Sequence, residues 1–216
     1  MDQRTRGQDY LGLHVLADDD PRWGRDPVEQ ARAACAGGAA VVQLRTKHAS
    51  DSQALEWAHA IRAITREAGT RFVVNDRFEL ALLAEADAVH LGQGDLPPNA
   101  MPGAARERLA VGRSTHTRAQ LEATRTEDVD YVAFGPVFGT TSKESEYAAR
   151  GLEAVAEASG LVAPRPLIAI GGIARDQLAG LRAAGAGGIA VISVVAGALN
   201  PTRRTRELVA AFEDYP

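Results

Sequence analysis

Lysine is almost missing from this chain. Of 24 basic residues, only Lys47 and Lys143 are lysine; the rest are arginine. Cysteine occurs once, as Cys35, which excludes an internal disulfide and suits a small buried thiol in an Ala-rich helical stretch. Charge of one sign is not in excess: 24 basic and 28 acidic residues give −4, which argues against a nucleic-acid partner. The longest apolar runs are strand-length and broken by glycine, so no membrane span or membrane partner is expected. Met1 to Arg6 lacks the apolar core of a signal peptide, and a cytoplasmic enzyme is the expectation. There is no HExxH and no Cys/His cluster to hold zinc. There is also no GxSxG elbow, no P-loop, and no GxGxxG after the first apolar run.

What is present is a regular alternation. A length of 216 residues suits one large domain or two small ones and can bury a substantial core. Apolar runs at 11–17, 40–45, 71–75, 88–91, 109–114, 131–136, 166–170 and 188–194 are rich in Val, Ile, Leu and Phe. They carry few charges, as parallel strands covered on both faces do. Eight runs in units of about 27 residues predict an α/β fold, a (β/α)8 TIM barrel. A doubly wound open sheet is the alternative, and the missing GxGxxG counts against it. Ser50 to Gln53 predicts a capping box, followed by Leu55, Ala58, Ile61, Ile64 and Ala68 at helical spacing. Thr117 to Gln120 predicts another. Small or acidic turns precede every second strand, as if a two-unit module recurs. The connection 135–150 is longer than the others and has the composition of a lid. Residues 1–9 are expected to be a disordered polar tail, and 10–216 a single barrel domain.

Active sites of such barrels form at the carboxyl ends of the strands. Polar residues accumulate there. The ends carry Gln43, Arg45 and Lys47; Asn75 and Asp76; Gln93 and Asp95; Ser114 and His116; Thr140, Ser142 and Lys143; Gly171 and Gly172; Ile192 and Ser193. Both lysines lie just past apolar runs, where a compact ammonium suits a phosphate. The plainer account is two leftover surface lysines in an arginine-rich chain. Asp76 and Asp95 follow neighbouring strands, and two carboxylates beside phosphate oxygens form a typical Mg²⁺ site. Asp76 could instead cap the next helix. Gly171-Gly172 and Ser193 end the seventh and eighth runs, where backbone N–H groups often bind phosphate. A tight turn is the simpler account. Two anion sites imply two phosphorylated substrates or one doubly phosphorylated one. His14 and His90 are read as core residues, His48 and His59 as exposed, and His116 as a possible acid or base.

In this order and spacing the chain resembles the thiamine phosphate synthase family. The residues carrying the resemblance are 43–47 (QLRTK), 74–77 (VNDR), 89–97 (VHLGQGDLP), 114–116 (STH), 134–138 (FGPVF), 140–143 (TTSK), 169–173 (AIGGI) and 191–193 (VIS). The match runs from about Leu11 to the last helix. It implies a β/α barrel that joins hydroxymethylpyrimidine diphosphate to a thiazole phosphate with Mg²⁺. Arg45, Lys47, Asn75 and Lys143 would hold the diphosphate, and Asp76 and Asp95 the metal. Gln43 and Ser114 would bind the pyrimidine. Thr140 and Ser142, with the backbone of Gly172, Ile192 and Ser193, would take the thiazole phosphate. Arg45, Lys47, Ser114 and Lys143 would be the catalytic set.

Three positions depart from the family pattern. Ser142 replaces a threonine, Gly139 a common proline, and Glu144 a common basic residue. The nearest rival is thiazole tautomerase, on the same barrel, with His116 as acid or base. Retention of Arg45, Lys47, Asp76, Asp95 and Lys143 favours the synthase. A Schiff-base aldolase would need a desolvated lysine, and both lysines lie in polar loops. A phosphate-binding regulator would show no turnover. The oligomeric state, monomer or homo-oligomer, is left open.

Overall fold

The computed structural model describes residues 6–139 and 147–213. Its centre is a closed barrel of eight parallel strands in sequence order, with β1 returning to pair with β8. The strands are β1 (Gly12–Asp18), β2 (Val41–Arg45), β3 (Arg71–Asn75), β4 (Ala88–Leu91), β5 (Ala110–Thr115), β6 (Tyr131–Phe134), β7 (Leu167–Ile170) and β8 (Gly188–Val191). The expected (β/α)8 barrel is therefore present. The runs at 11–17, 40–45, 109–114 and 166–170 are off by a residue, and the run at 131–136 extends two residues past β6. The last expected strand is too long: it stops at Val191, and residues 193–196 turn helical.

The α-helices among the described residues are α1 (Pro27–Ala36), α2 (Asp51–Ala68), α3 (Phe78–Leu83), α4 (Gly103–Arg108), α5 (Arg118–Ala123), α6 (Gly151–Val162), α7 (Leu178–Ala183), α8 (Ser193–Ala196) and α9 (Pro201–Glu213). None is long and apolar enough to cross a membrane. Ser50 caps α2 as expected, accepting from Gln53 N, but the box is incomplete because the Gln53 amide turns to Glu56. Thr117 caps α5 in the same way, and there the Gln120 side chain accepts from His116 N. A complete box stands where none was expected, between Asp26 and Glu29 ahead of α1, with Pro27 in the first turn.

Alternation along each strand divides the core in two. One face of each strand packs against the helices, through residues such as Val42, Phe72, Val89, Val132 and Ile189. Each fully buried large side chain there contributes about 1.5–3 kcal/mol. The other face points into the barrel, where Val41, Val73, Ala88, Ala110, Tyr131, Ala133, Ile168 and Ala190 form a separate cluster. Many of these inner residues are small. The barrel therefore keeps an open mouth instead of filling to the rim.

The repeating turns have a structural basis. Asp87, ahead of β4, accepts from Phe72 N at the start of β3 (2.8 Å) and from Arg62 of α2 (2.9 Å). Asp130, ahead of β6, accepts from Val111 N in β5 (2.7 Å) and pairs with Arg106 of α4 (2.9 Å). Two units apart, the same residue type ties a strand to its predecessor and to the helix ahead of that predecessor. The expected tail is corrected from Arg6 onward. Gly7–Tyr10 is a 3-10 turn, Arg6 donates to the carbonyls of Arg106 and Glu107, and Tyr10 is buried as a plug under the barrel.

Candidate active site

A cavity of about 760 Å³ opens at the carboxyl ends of the strands. That is room for a small organic ligand. Gln43, Arg45, Asn75, Ser114, Gly172, Ile192 and Ser193 all line it. Thr140, Ser142, Lys143 and Glu144 lie outside the described residues. Gly139 and Tyr147, on either side of that segment, both face the cavity.

The wall from β1 to β4 is charged. Arg45, at the end of β2, is paired with Asp18 at the end of β1, and Trp23 Nε1 donates to the same carboxylate at 2.8 Å. Asp18 is buried, so the pair holds the guanidinium in one place. Asp19 follows and accepts from the backbone N–H groups of Lys47, His48 and Ala49 at 2.8, 2.9 and 2.8 Å. This carboxylate shapes the loop that carries Lys47. Lys47 Nζ lies 2.5 Å from Asp76 Oδ2. The Lys47 side chain is 44% exposed, so the pair itself is worth no more than about 1 kcal/mol, and the lysine can turn to another anion at little cost.

Asp76 has φ 67°, and its N–H donates to His90 O across the sheet at 2.7 Å. It does not cap α3: Arg77 occupies the cap position, with no side-chain cap bond there. Asp95 is anchored by Gly92 N at 2.6 Å and its carboxyl feels that of Asp76. Burial works to raise the Asp76 carboxyl, but Lys47 and the neighbouring Asp95 carboxyl bring it below the usual range. Burial and the neighbouring Asp76 raise Asp95. Two carboxylates held this close repel, and a divalent cation would relieve that repulsion. The donor set fits Mg²⁺. No group of three His, Cys, Asp or Glu converges among the described residues, here or elsewhere, so a metal held by this pair would complete its shell with water and ligand oxygens.

The opposite wall, from β6 to β8, is built of backbone. Val137 N donates to Ile170 O and Phe138 N to Gly171 O, both at 2.9 Å, so the loops after β6 and β7 are sewn together. Gly171 and Gly172 have φ of 101° and 66°. A Cβ on Gly172 would come within 2.3 Å of Gly139 O. Only glycine satisfies both the dihedral and the close approach. Ile192 and Ser193 lead into α8 beside them.

Between the walls, His116 at the end of β5 donates through Nδ1 to Gly135 O at 2.6 Å, and its ring stacks on Tyr147 at 4.4 Å. The floor is aromatic. His14 is fully buried and neutral, its pKa lowered to about 4 by desolvation, against which its bond to Tyr10 O acts. Asp18, Asp19, Tyr131 and Tyr147 were not among the residues expected from sequence. Asp18 and Asp19 were findable: they end β1, and the rule applied to the other strands covers them.

A family model described as thiamine monophosphate synthase matches residues 13–195. The chain belongs to that family. Among the relatives of this synthase-family chain is a thiamine-phosphate synthase of Anaeromyxobacter dehalogenans, 44% identical over 94% of this chain and 88% of the other. One of Methanoregula boonei is 41% identical over 92% and 91%. A solved structure, thiamine phosphate pyrophosphorylase from Pyrococcus furiosus, superposes with a TM-score of 0.85 at 33% identity and covers 97% and 98% of the two chains. Near-complete coverage on both sides extends the family resemblance to the whole barrel. Of the residues on which it rested, Gln43, Arg45, Asn75, Ser114, Gly172, Ile192 and Ser193 line the cavity, Lys47, Asp76 and Asp95 do not, and Thr140, Ser142 and Lys143 lie outside the described residues.

Proposed function

We propose that this protein is a Mg²⁺-dependent thiamine phosphate synthase. It couples hydroxymethylpyrimidine diphosphate to thiazole phosphate and releases diphosphate. The observation that supports the reading is one cavity lined by Gln43, Arg45, Asn75 and Ser114 on the β2–β5 side and by a glycine backbone wall at β7–β8, with the Lys47–Asp76 pair beside that mouth and outside the cavity lining. Two phosphorylated substrates need two anion sites, with the reacting methylene carbon of one facing the thiazole nitrogen of the other across the space between.

Arg45, Lys47, Asn75 and Lys143 hold the diphosphate. Asp76 and Asp95 hold Mg²⁺, which supplies positive charge against the leaving group. Gln43 and Ser114 hold the aminopyrimidine. Thr140, Ser142 and the backbone of Gly172, Ile192 and Ser193 hold the thiazole phosphate. The methylene C–O bond breaks with its electron pair leaving on the diphosphate, and the electron-rich ring carries the cation that remains. The thiazole nitrogen lone pair then closes the new C–N bond. No proton is moved in this sequence, so no general base is needed. The protein's work is to stabilise the departing charge and to hold the nitrogen near the carbon.

The test is incubation with both substrates and Mg²⁺, assayed for thiamine phosphate. Formation of thiamine phosphate with one diphosphate per turnover is the expected result. Isomerisation of a thiazole phosphate alone, abolished by His116→Ala, would replace this reading with the tautomerase. An imine trapped by borohydride would indicate an aldolase.

A further inference from the structure

Beneath Ser114 lies a line of buried polar groups that the coupling reaction does not use directly. Tyr131, which opens β6, is completely buried and stacks on Tyr10 at 4.9 Å. Its phenol oxygen is 3.2 Å from His90 Nδ1, and His90 Nε2 is 2.8 Å from Ser114 Oγ. The three residues sit on β6, β4 and β5. Gly112 of β5 pairs with His90 on one side and Tyr131 on the other. A Cβ on Gly112 would meet Tyr131 Cζ at 2.2 Å, the phenol oxygen at 2.4 Å and His90 Nδ1 at 2.5 Å. A glycine at this register is what leaves space for the bond between the two side chains.

The direction of the chain follows from the phenol. Burial raises the Tyr131 hydroxyl well above its ordinary range, so it keeps its proton. Within hydrogen-bonding distance of that hydroxyl, among the described residues, stands His90 Nδ1. A buried donor without an acceptor is costly, so Tyr131 donates to Nδ1. The imidazole then carries its hydrogen on Nε2 and donates to Ser114 Oγ. With its oxygen accepting from below, the serine hydroxyl has its own hydrogen to offer to the cavity.

We infer that Tyr131 and His90 are positioning residues that fix Ser114 as a hydrogen-bond donor, so that this wall selects a heteroaromatic ring presenting an acceptor nitrogen. The inference rests on the synthase reading, in which Ser114 meets the pyrimidine. It adds what decides the polarity of that contact. A C–H at the same ring position would leave the serine hydrogen without an acceptor, and an N–H would have to take the oxygen's remaining lone pair while that hydrogen turned away unpaired.

Tyr131→Phe keeps the ring and removes the donor. Steady-state kinetics should show KM for the pyrimidine diphosphate raised about five- to tenfold, the scale of one net hydrogen bond, with KM for the thiazole phosphate unchanged. In a His90→Gln background, where the amide can donate to Ser114 without the phenol, Tyr131→Phe should have no further effect. Calorimetry supplies an independent arm on the unaltered protein. A pyridine analogue of the pyrimidine diphosphate, with the acceptor nitrogen replaced by CH, should bind more weakly than the parent compound. Unchanged KM in Tyr131→Phe would overturn the inference, as would equal rises for both substrates or equal binding of the pyridine analogue. Absence of thiamine phosphate with the unaltered protein would sink the synthase reading itself.

Discussion

Asp19 touches no proposed substrate, yet three backbone N–H groups of the Lys47 loop converge on its carboxylate. Asp19→Ala should raise KM for the pyrimidine diphosphate about tenfold and cost about 1–3 kcal/mol of stability by denaturant titration. An unchanged KM would mean that the loop holds its shape without it. Asp76→Ala and Asp95→Ala should each shift the Mg²⁺ activation curve to higher concentration; normal curves in both would remove the metal assignment. Residue types were legible in the sequence wherever function concentrates unusual chemistry in one place, as with two lysines in an arginine-rich chain. Asp18 and Asp19 were harder to see. Their run of acids, followed by Asp20, looks like a solvated turn until the barrel closes and brings Arg45 and Lys47 beside it.

At the scale of elements, the loops after β6 and β7 act as one unit, joined by backbone bonds and by the contact of Gly172 with Gly139. Gly172→Ala introduces both a disfavoured dihedral and a Cβ against a carbonyl oxygen, a cost of about 1–3 kcal/mol. The expected result is at least tenfold higher KM for thiazole phosphate with little change for the pyrimidine diphosphate. An equal rise for both substrates would show that the two walls are not separate sites. Strand positions were legible because all eight runs are buried on both faces and carry few charges. The end of β8 was not: Ile192 to Val194 continues the apolar run, but the chain must turn there to form α8, and β-propensity alone does not register that turn. The capping boxes failed similarly at Gln53 and Gln120, whose side chains found nearer partners.

Across the whole molecule, the barrel has an aromatic floor and a charged mouth. The floor contains His14, whose folded pKa of about 4 lies below the ordinary histidine value of 6.5. Between those values the unfolded chain binds the extra proton, so stability is fully present above about pH 6.5 and falls as the pH drops towards 4. The loss approaches about 3 kcal/mol. His14→Gln keeps a donor for Tyr10 O but does not titrate, so its stability should fall less over the same interval; parallel curves would contradict the buried neutral histidine. The closed barrel was readable from eight evenly spaced runs, and the plug at Tyr10 was not, because a polar stretch beside a lone tyrosine resembles any tail. The central claim concerns the mouth: one cavity with two anion sites on opposite walls. A crystal structure with thiamine phosphate, inorganic diphosphate and Mg²⁺ tests it most directly. Diphosphate with the metal should lie against Arg45, Asn75, Asp76 and Asp95, and the ester phosphate at Gly172 and Ser193. Both anions on one wall, or the two exchanged, would contradict it.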